Sequence, residues 1–163
     1  MSLVEVLIAL TILAFALLGL MPLFSGAVKT AASANQLTSA NTLVREKLEE
    51  LDGYPRDDAR LNVPVGANTA SFANDLGSWY NPSTGIVSFA STSPGAGWYV
   101  YPYVRTYTVE QFAADLTTRV TTPGAGPAPY AAKLVTVTVR PTRGPFPGLR
   151  QTTQSLLLRL PNG

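Results

Sequence analysis

One carboxylate, Glu5, stands at the mouth of an apolar run, Val6 to Val28, that contains no charged residue. An ionised carboxylate at the edge of an apolar environment is costly unless it is paired. Lys29, the next side-chain cation along the chain, would lie about 36 Å away on a helix that rises 1.5 Å per residue. The cation within reach is an α-amine, either that of Met1 in the same chain or that of Met1 in a neighbouring copy. The first-turn helix dipole also favours a carboxylate, by about 1 kcal/mol or less, too little to decide the matter alone. Glu5 therefore offers ion pairing and not bond making.

Groups that make and break bonds are scarce. The chain has no His and no Cys, which removes the commonest general base, the commonest metal ligand, any disulfide framework and any thiolate site. No G-x-S-x-G elbow, Walker-type loop or metal-ligand spacing occurs. A Ser-Lys arrangement would have to use Lys29, Lys47 or Lys133, none of which sits in a recognisable motif. "RDDAR" places Asp57 beside Asp58, but a calcium site needs about six oxygens, so a solvated turn is the expectation. The sequence points to a protein that is not an enzyme and uses no cofactor or metal.

Every charged residue after Asp115 is basic: Arg119, Lys133, Arg140, Arg143, Arg150 and Arg159. With Arg105, and beside Tyr99, Tyr101, Tyr103, Tyr107 and Tyr130, these form a candidate basic face that could hold nucleic acid by phosphate contact and stacking. The alternative is scattered arginines on solvated strands or in subunit contacts.

The elements that must carry these residues follow from periodicity. The run to Val28 would span about 34 Å as a helix, enough for the roughly 30 Å hydrocarbon core of a bilayer. No Lys or Arg precedes it, as a cleavable secretory signal would require. Helix-compatible sequence continues beyond Lys29, with Leu37, Ala40, Val44, Leu48 and Leu51 recurring as one apolar stripe. Gly53 and Pro55 then supply a stop. One helix from near Ser2 to Asp52, about 75 Å long, is the simplest account. Residues 54–97 read as loops with one or two short strands, "GIVSFAS" among them.

Farther on, "GWYVYPYVRTYTVE" alternates as a strand, with Pro102 marking an edge or a bulge. "KLVTVTVR" turns Val135, Val137 and Val139 to one face. "PTRGPFPG" is a turn, and "LRQTTQSLLLRL" is a return strand burying Leu156, Leu158 and Leu160. The hairpin's apolar face can receive the helix stripe. The expected class is α+β, a long N-terminal helix packed on a C-terminal antiparallel β-sheet head. Three segments result: 1–28 apolar, 29–53 its amphipathic continuation, and 54–163 a strand-rich head outside the cytoplasm.

"MSLVEVLIALTILAFALLGLMPL" resembles the N-terminus of mature type IV pilins and pseudopilins. That pattern has an apolar first residue, Ser or Thr second, Glu fifth, a long apolar stretch and a Pro that falls on Pro22 here. Met1 stands where Phe is usual and Ala14 where Gly is frequent. The disulfide that closes many family heads cannot form here. The layout of "GWYVYPYVRTYTV", "AAKLVTVTVR" and "SLLLRL" is most like a minor pilin or the I-type pseudopilin.

The resemblance implies that a prepilin peptidase exposes the Met1 amine and methylates it, and that Glu5 of an incoming subunit pairs with the Met1 amine of a neighbour. Its expected partners are copies of itself or related pilins, the peptidase and an inner-membrane assembly platform. The chain would sit in the bacterial inner membrane as a single-pass protein and then enter an extracellular filament serving adhesion, motility or secretion. Pro22 and Gly19 would kink or unwind the helix between about Ala14 and Met21, since an interior Pro costs about 3 kcal/mol. A minor pilin or type II secretion pseudopilin is the near alternative to a pilus subunit. A membrane-tethered adhesin or DNA-binding head is the more distant one.

Overall fold

The computed structural model describes residues 2–122, 130–142 and 151–159. It forms two compact units, residues 1–38 and residues 39–163, with the division falling inside the first helix. Helix α1 spans Leu3–Asp52. The Ser2 carbonyl accepts the amides of Glu5 at 3.0 Å and Val6 at 3.3 Å, closing the first turn. At the far end the Gly53 amide returns to the Glu49 carbonyl at 3.3 Å, and Pro55 prevents continuation.

From Leu3 to Val28, apart from Glu5, Thr11 and Ser25, α1 is apolar on every side. Exposed large hydrophobics run from Leu3 through Phe15 and Met21 to Val28. A helix of this kind, long and apolar enough to cross a membrane, has no polar face to turn toward water. Its hydroxyls are turned inward: Thr11 Oγ1 donates to the Leu7 carbonyl at 2.7 Å, and Thr30 Oγ1 to that of Gly26 at 3.0 Å.

The unit of residues 39–163 is α+β: the last turns of α1 pack on an antiparallel sheet. Strands are β1 (Thr69–Phe72), β2 (Trp79–Tyr80), β3 (Val87–Ser88), β4 (Tyr99–Val100), β5 (Tyr103–Phe112), β6 (Ala132–Pro141) and β7 (Thr152–Arg159). The larger sheet is ordered β1-β5-β6-β7 and the smaller β3-β2-β4. All pairings between named strands are antiparallel.

Strict alternation along β5 and β6 turns Tyr107, Val109, Val135, Val137 and Val139 inward, where they meet Ala40, Val44 and Leu51 of the helix with Leu61, Val63 and Leu158. Each fully buried Val or Leu contributes about 2 kcal/mol of hydrophobic stabilisation. The outward rows are hydroxylic. Thr106, Thr138 and Thr153 stand in register, as do Ser71, Thr108, Thr136 and Ser155.

Three details differ from expectation. The single strand read into "GWYVYPYVRTYTVE" is two strands, β4 and β5, that belong to different sheets. Pro102 separates them because it has no amide to give a ladder. Leu37 is exposed and leaves the helix stripe, whereas Lys47 joins it buried. On the return strand Leu158 is buried and Leu156 half-buried, as expected, while Leu160 lies outside the described residues.

A glycine is required at one place. Gly77 adopts φ +84°, and a Cβ there would collide with Val87 Cγ1 and sit 3.1 Å from the Ser88 carbonyl oxygen. The turn into β2 therefore runs directly beneath β3.

Candidate functional site

The helix N-terminus presents Glu5 in its first turn, exposed, with Val4, Val6, Leu7 and Ile8 exposed around it. Among the described residues no cationic side chain lies within ion-pairing distance of it. Met1, the expected source of the ammonium, lies outside the described residues. A groove lies on one helix face, lined by Leu7, Leu10, Thr11, Ala14, Phe15 and Leu18. These positions recur at three- and four-residue steps, and Ala14 is the small side chain among them. Turning the Thr11 hydroxyl into the backbone leaves its methyl as the groove's contribution.

Pro22 sits inside α1, and the helix is unbroken from Leu3 to Asp52. Pro22 cannot donate to the Leu18 carbonyl, at a cost of about 3 kcal/mol, but Leu, Ala and Met on both sides are strong helix formers that hold the remaining turns. Gly19, three residues earlier, has open space around it: a Cβ there would meet nothing within 4 Å.

Two members of the candidate basic face, Arg105 and Lys133, do not lie on the surface. Lys133 is 1% exposed and Arg105 7% exposed, both on the inner side of the sheet. Lys133 Nζ donates to the carbonyls of Arg56 at 2.6 Å and Leu61 at 2.8 Å, and lies 5.0 Å from the Tyr130 ring centre. Arg119 pairs with Glu110 at 2.7 Å. Arg140 and Arg159 are exposed, and Arg143 and Arg150 lie outside the described residues. Strict alternation explains the correction. Lys133 shares parity with Val135, Val137 and Val139, and Arg105 with Tyr107 and Val109, so both point at the core. Of the tyrosines, Tyr107 is buried too; its ring stacks on Phe72 at 4.4 Å and its hydroxyl donates to the Arg60 carbonyl at 3.1 Å.

The buried charges belong instead to one internal cluster. Arg105 Nη1 also donates to the Leu43 carbonyl at 3.1 Å, and its partner is Asp75. Lys47 Nζ bridges Asp75 at 2.8 Å and Glu50 at 2.9 Å, with the Tyr107 ring centre 5.3 Å away. Burial alone would push the Asp75 carboxyl up, but hydrogen bonds from Arg105 and Lys47 outweigh it and hold its pKa below the ordinary value. Likewise burial would lower Lys47, yet Asp75 and Glu50 leave its pKa raised. For Lys133 burial prevails and the pKa is lowered. Asp75 was not legible as a partner. The signal that could have found Lys47 is its place three residues after Val44 and four before Leu51, on the apolar stripe.

Asp58 has a local job. It caps the short 3-10 helix Ala59–Leu61 by accepting the Arg60 amide at 2.8 Å. Asp57 is exposed. Among the described residues no group of His, Cys, Asp and Glu could hold a metal ion. No known protein family, curated protein or solved structure matches this chain.

Proposed function

We propose that the chain is a structural subunit, a pilin, of a type IV pilus-like extracellular filament that assembles through its N-terminal helix. One observation carries this reading: Glu5 is a lone carboxylate on a helix end that is apolar and exposed on all sides. Lipid satisfies such a surface before assembly, and the equivalent helices of other copies would satisfy it in a filament core. The second environment brings the Met1 amine of a neighbour to Glu5. The Met1 ammonium of a neighbour would neutralise it where water is scarce, fixing the axial register of one helix against the next. Removing one partner of a desolvated pair costs about 3 to 5 kcal/mol, so register would be lost with it.

A minor pilin or a type II secretion pseudopilin would use the same pair; electron microscopy of sheared surface material distinguishes an abundant pilus from a minor component. A membrane-tethered adhesin or DNA-binding head explains the apolar run but gives Glu5 no purpose. The test is Glu5→Gln, which preserves shape and removes charge. Membrane insertion should be unchanged and filament yield sharply reduced; normal filaments would overturn the reading. Mass spectrometry of the native N-terminus should find an N-methylated Met1.

A further inference from the structure

Residues 73–102 leave the larger sheet between β1 and β5, and the core does not follow them: it reaches Phe72 and resumes at Tyr103. Within the segment Gly77 is the one buried residue, so no side chain is buried. Strands β2, β3 and β4 are two residues each and form a sheet of their own. A sheet that small, with no face packed on a core, is not stable alone. The segment is nevertheless tied together internally. The amides of Ser78 and Asn81 reach the carbonyls of Ser88 at 2.8 Å and Ile86 at 3.0 Å, and the Tyr101 amide reaches that of Ser78 at 2.8 Å. Trp79 Nε1 donates to the Ala90 carbonyl at 3.0 Å, and the Tyr80 ring meets those of Tyr99 and Tyr101. Two sets of polar ties fasten this unit to the rest of the head. At its exit the Thr142 amide donates to the Pro102 carbonyl at 2.9 Å, and the Thr142 hydroxyl to that of Tyr101. At its entry Asn74 Oδ1 accepts the Arg105 amide at 3.0 Å, and Asp75 holds both Arg105 and Lys47.

We propose that residues 73–102 open from the head as one body, a flap swinging on its exit beside β5, and that Asp75 is the latch that holds it shut. Few buried contacts and solvent-exposed backbone hydrogen bonds place a segment at the low-stability end of a structure. Asp75 carries the one charge in the segment, and it grips two elements at once, α1 through Lys47 and β5 through Arg105. The exit ties are neutral hydrogen bonds beside the start of β5, where the chain can pivot without breaking them. Opening carries the carboxylate away and turns Lys47 and Arg105, 5% and 7% exposed in the closed chain, toward water. Solvation of the released cations makes this separation cheaper than breaking the same pair inside a closed core. Glu50 stays on α1 and keeps its bond to Lys47. The larger sheet need not move, since no strand of the small sheet pairs with it and its core draws no residue from the segment. The flap is a property of the single chain and does not depend on the filament reading.

Amide hydrogen exchange of the full chain in detergent tests this, read by mass spectrometry on peptides spanning 73–102 and on peptides from β5 and β6. The bonded amides of Ser78, Asn81 and Tyr101 should share one level of protection, lower by about tenfold or more than that of the β5 and β6 ladder. Asp75→Asn should speed exchange in the segment by about a hundredfold. Lys133→Met weakens the body that survives opening, because Lys133 ties β6 to Arg56 and Leu61. It should therefore speed exchange in β5 and β6 and leave the segment at its native rate. A segment that exchanges no faster than β5 and β6, or that Lys133→Met speeds equally, opens only with the whole head and overturns the proposal. Unequal protection of the three amides overturns the single body, and a segment rate unchanged by Asp75→Asn overturns the latch. If Asp75→Asn does not fold, the native chain and Lys133→Met still decide whether the flap opens alone.

Discussion

Asp75 grips Arg105 with both carboxylate oxygens, Oδ1 on Nε at 2.8 Å and Oδ2 on Nη2 at 2.9 Å. The pair joins the turn before β2 to the inner face of β5, and Lys47 of α1 adds a second cation to the same carboxylate. Two nearly buried cations thus share this acid, and Glu50 is a second partner of Lys47. Asp75→Asn should destabilise the full chain in detergent by about 3 kcal/mol, because Arg105 stays buried without its counter-charge and Lys47 keeps only Glu50. Denaturant unfolding measures this; a change below about 0.5 kcal/mol, the range of ordinary surface substitutions, would refute the clustering.

The same carboxylate sets an acid limit. Its folded pKa is lowered from the ordinary 3.8, so its contribution is present in full above that value and is lost as pH falls through the folded pKa. Stability of the native chain should therefore drop below pH 3.8 more steeply than that of Asp75→Asn. Parallel acid profiles would show that other carboxylates carry the whole dependence.

Lys133 fastens the segment after the helix to the central strand β6. Lys133→Met keeps most of the apolar stem but leaves the Arg56 and Leu61 carbonyls without their donor. Each orphaned buried acceptor costs about 1 to 3 kcal/mol. A loss of about 3 kcal/mol is expected in chemical denaturation, whereas Arg140→Met, on an exposed site of the same strand, should change little.

In the helix, Gly19→Ala meets open space in the single chain and gains about 1 kcal/mol of helix propensity. Circular dichroism of the solubilised chain should show helix content equal or higher. Pro22→Ala restores an interior hydrogen-bond donor, and the proposed filament should stretch less under force. Unchanged extension would remove any mechanical role for Pro22.

The helix and the hairpin core were legible in the sequence because each rests on one period. Val135, Val137 and Val139 alternate without interruption, and Ala40, Val44 and Leu51 recur along one stripe, so burial follows from spacing alone. Arg105 and Lys133 were misread because their type argues for solvent while their parity argues for the core. Parity prevailed once carboxylate or carbonyl partners were in reach. Those partners, Asp75 and the Arg56 and Leu61 carbonyls, lie far off in sequence, and no local pattern announces them. At Pro22, local propensity sets the penalty, and the turns on either side keep the helix assignment continuous.

Arg105 and Lys133 also have a mechanical consequence. Each of the two central strands sends one cation to the helix backbone or the segment just beyond it, Arg105 to the Leu43 carbonyl and Lys133 to the Arg56 carbonyl. The end of the helix and the segment after it are thus tied to both central strands, at points thirteen residues apart.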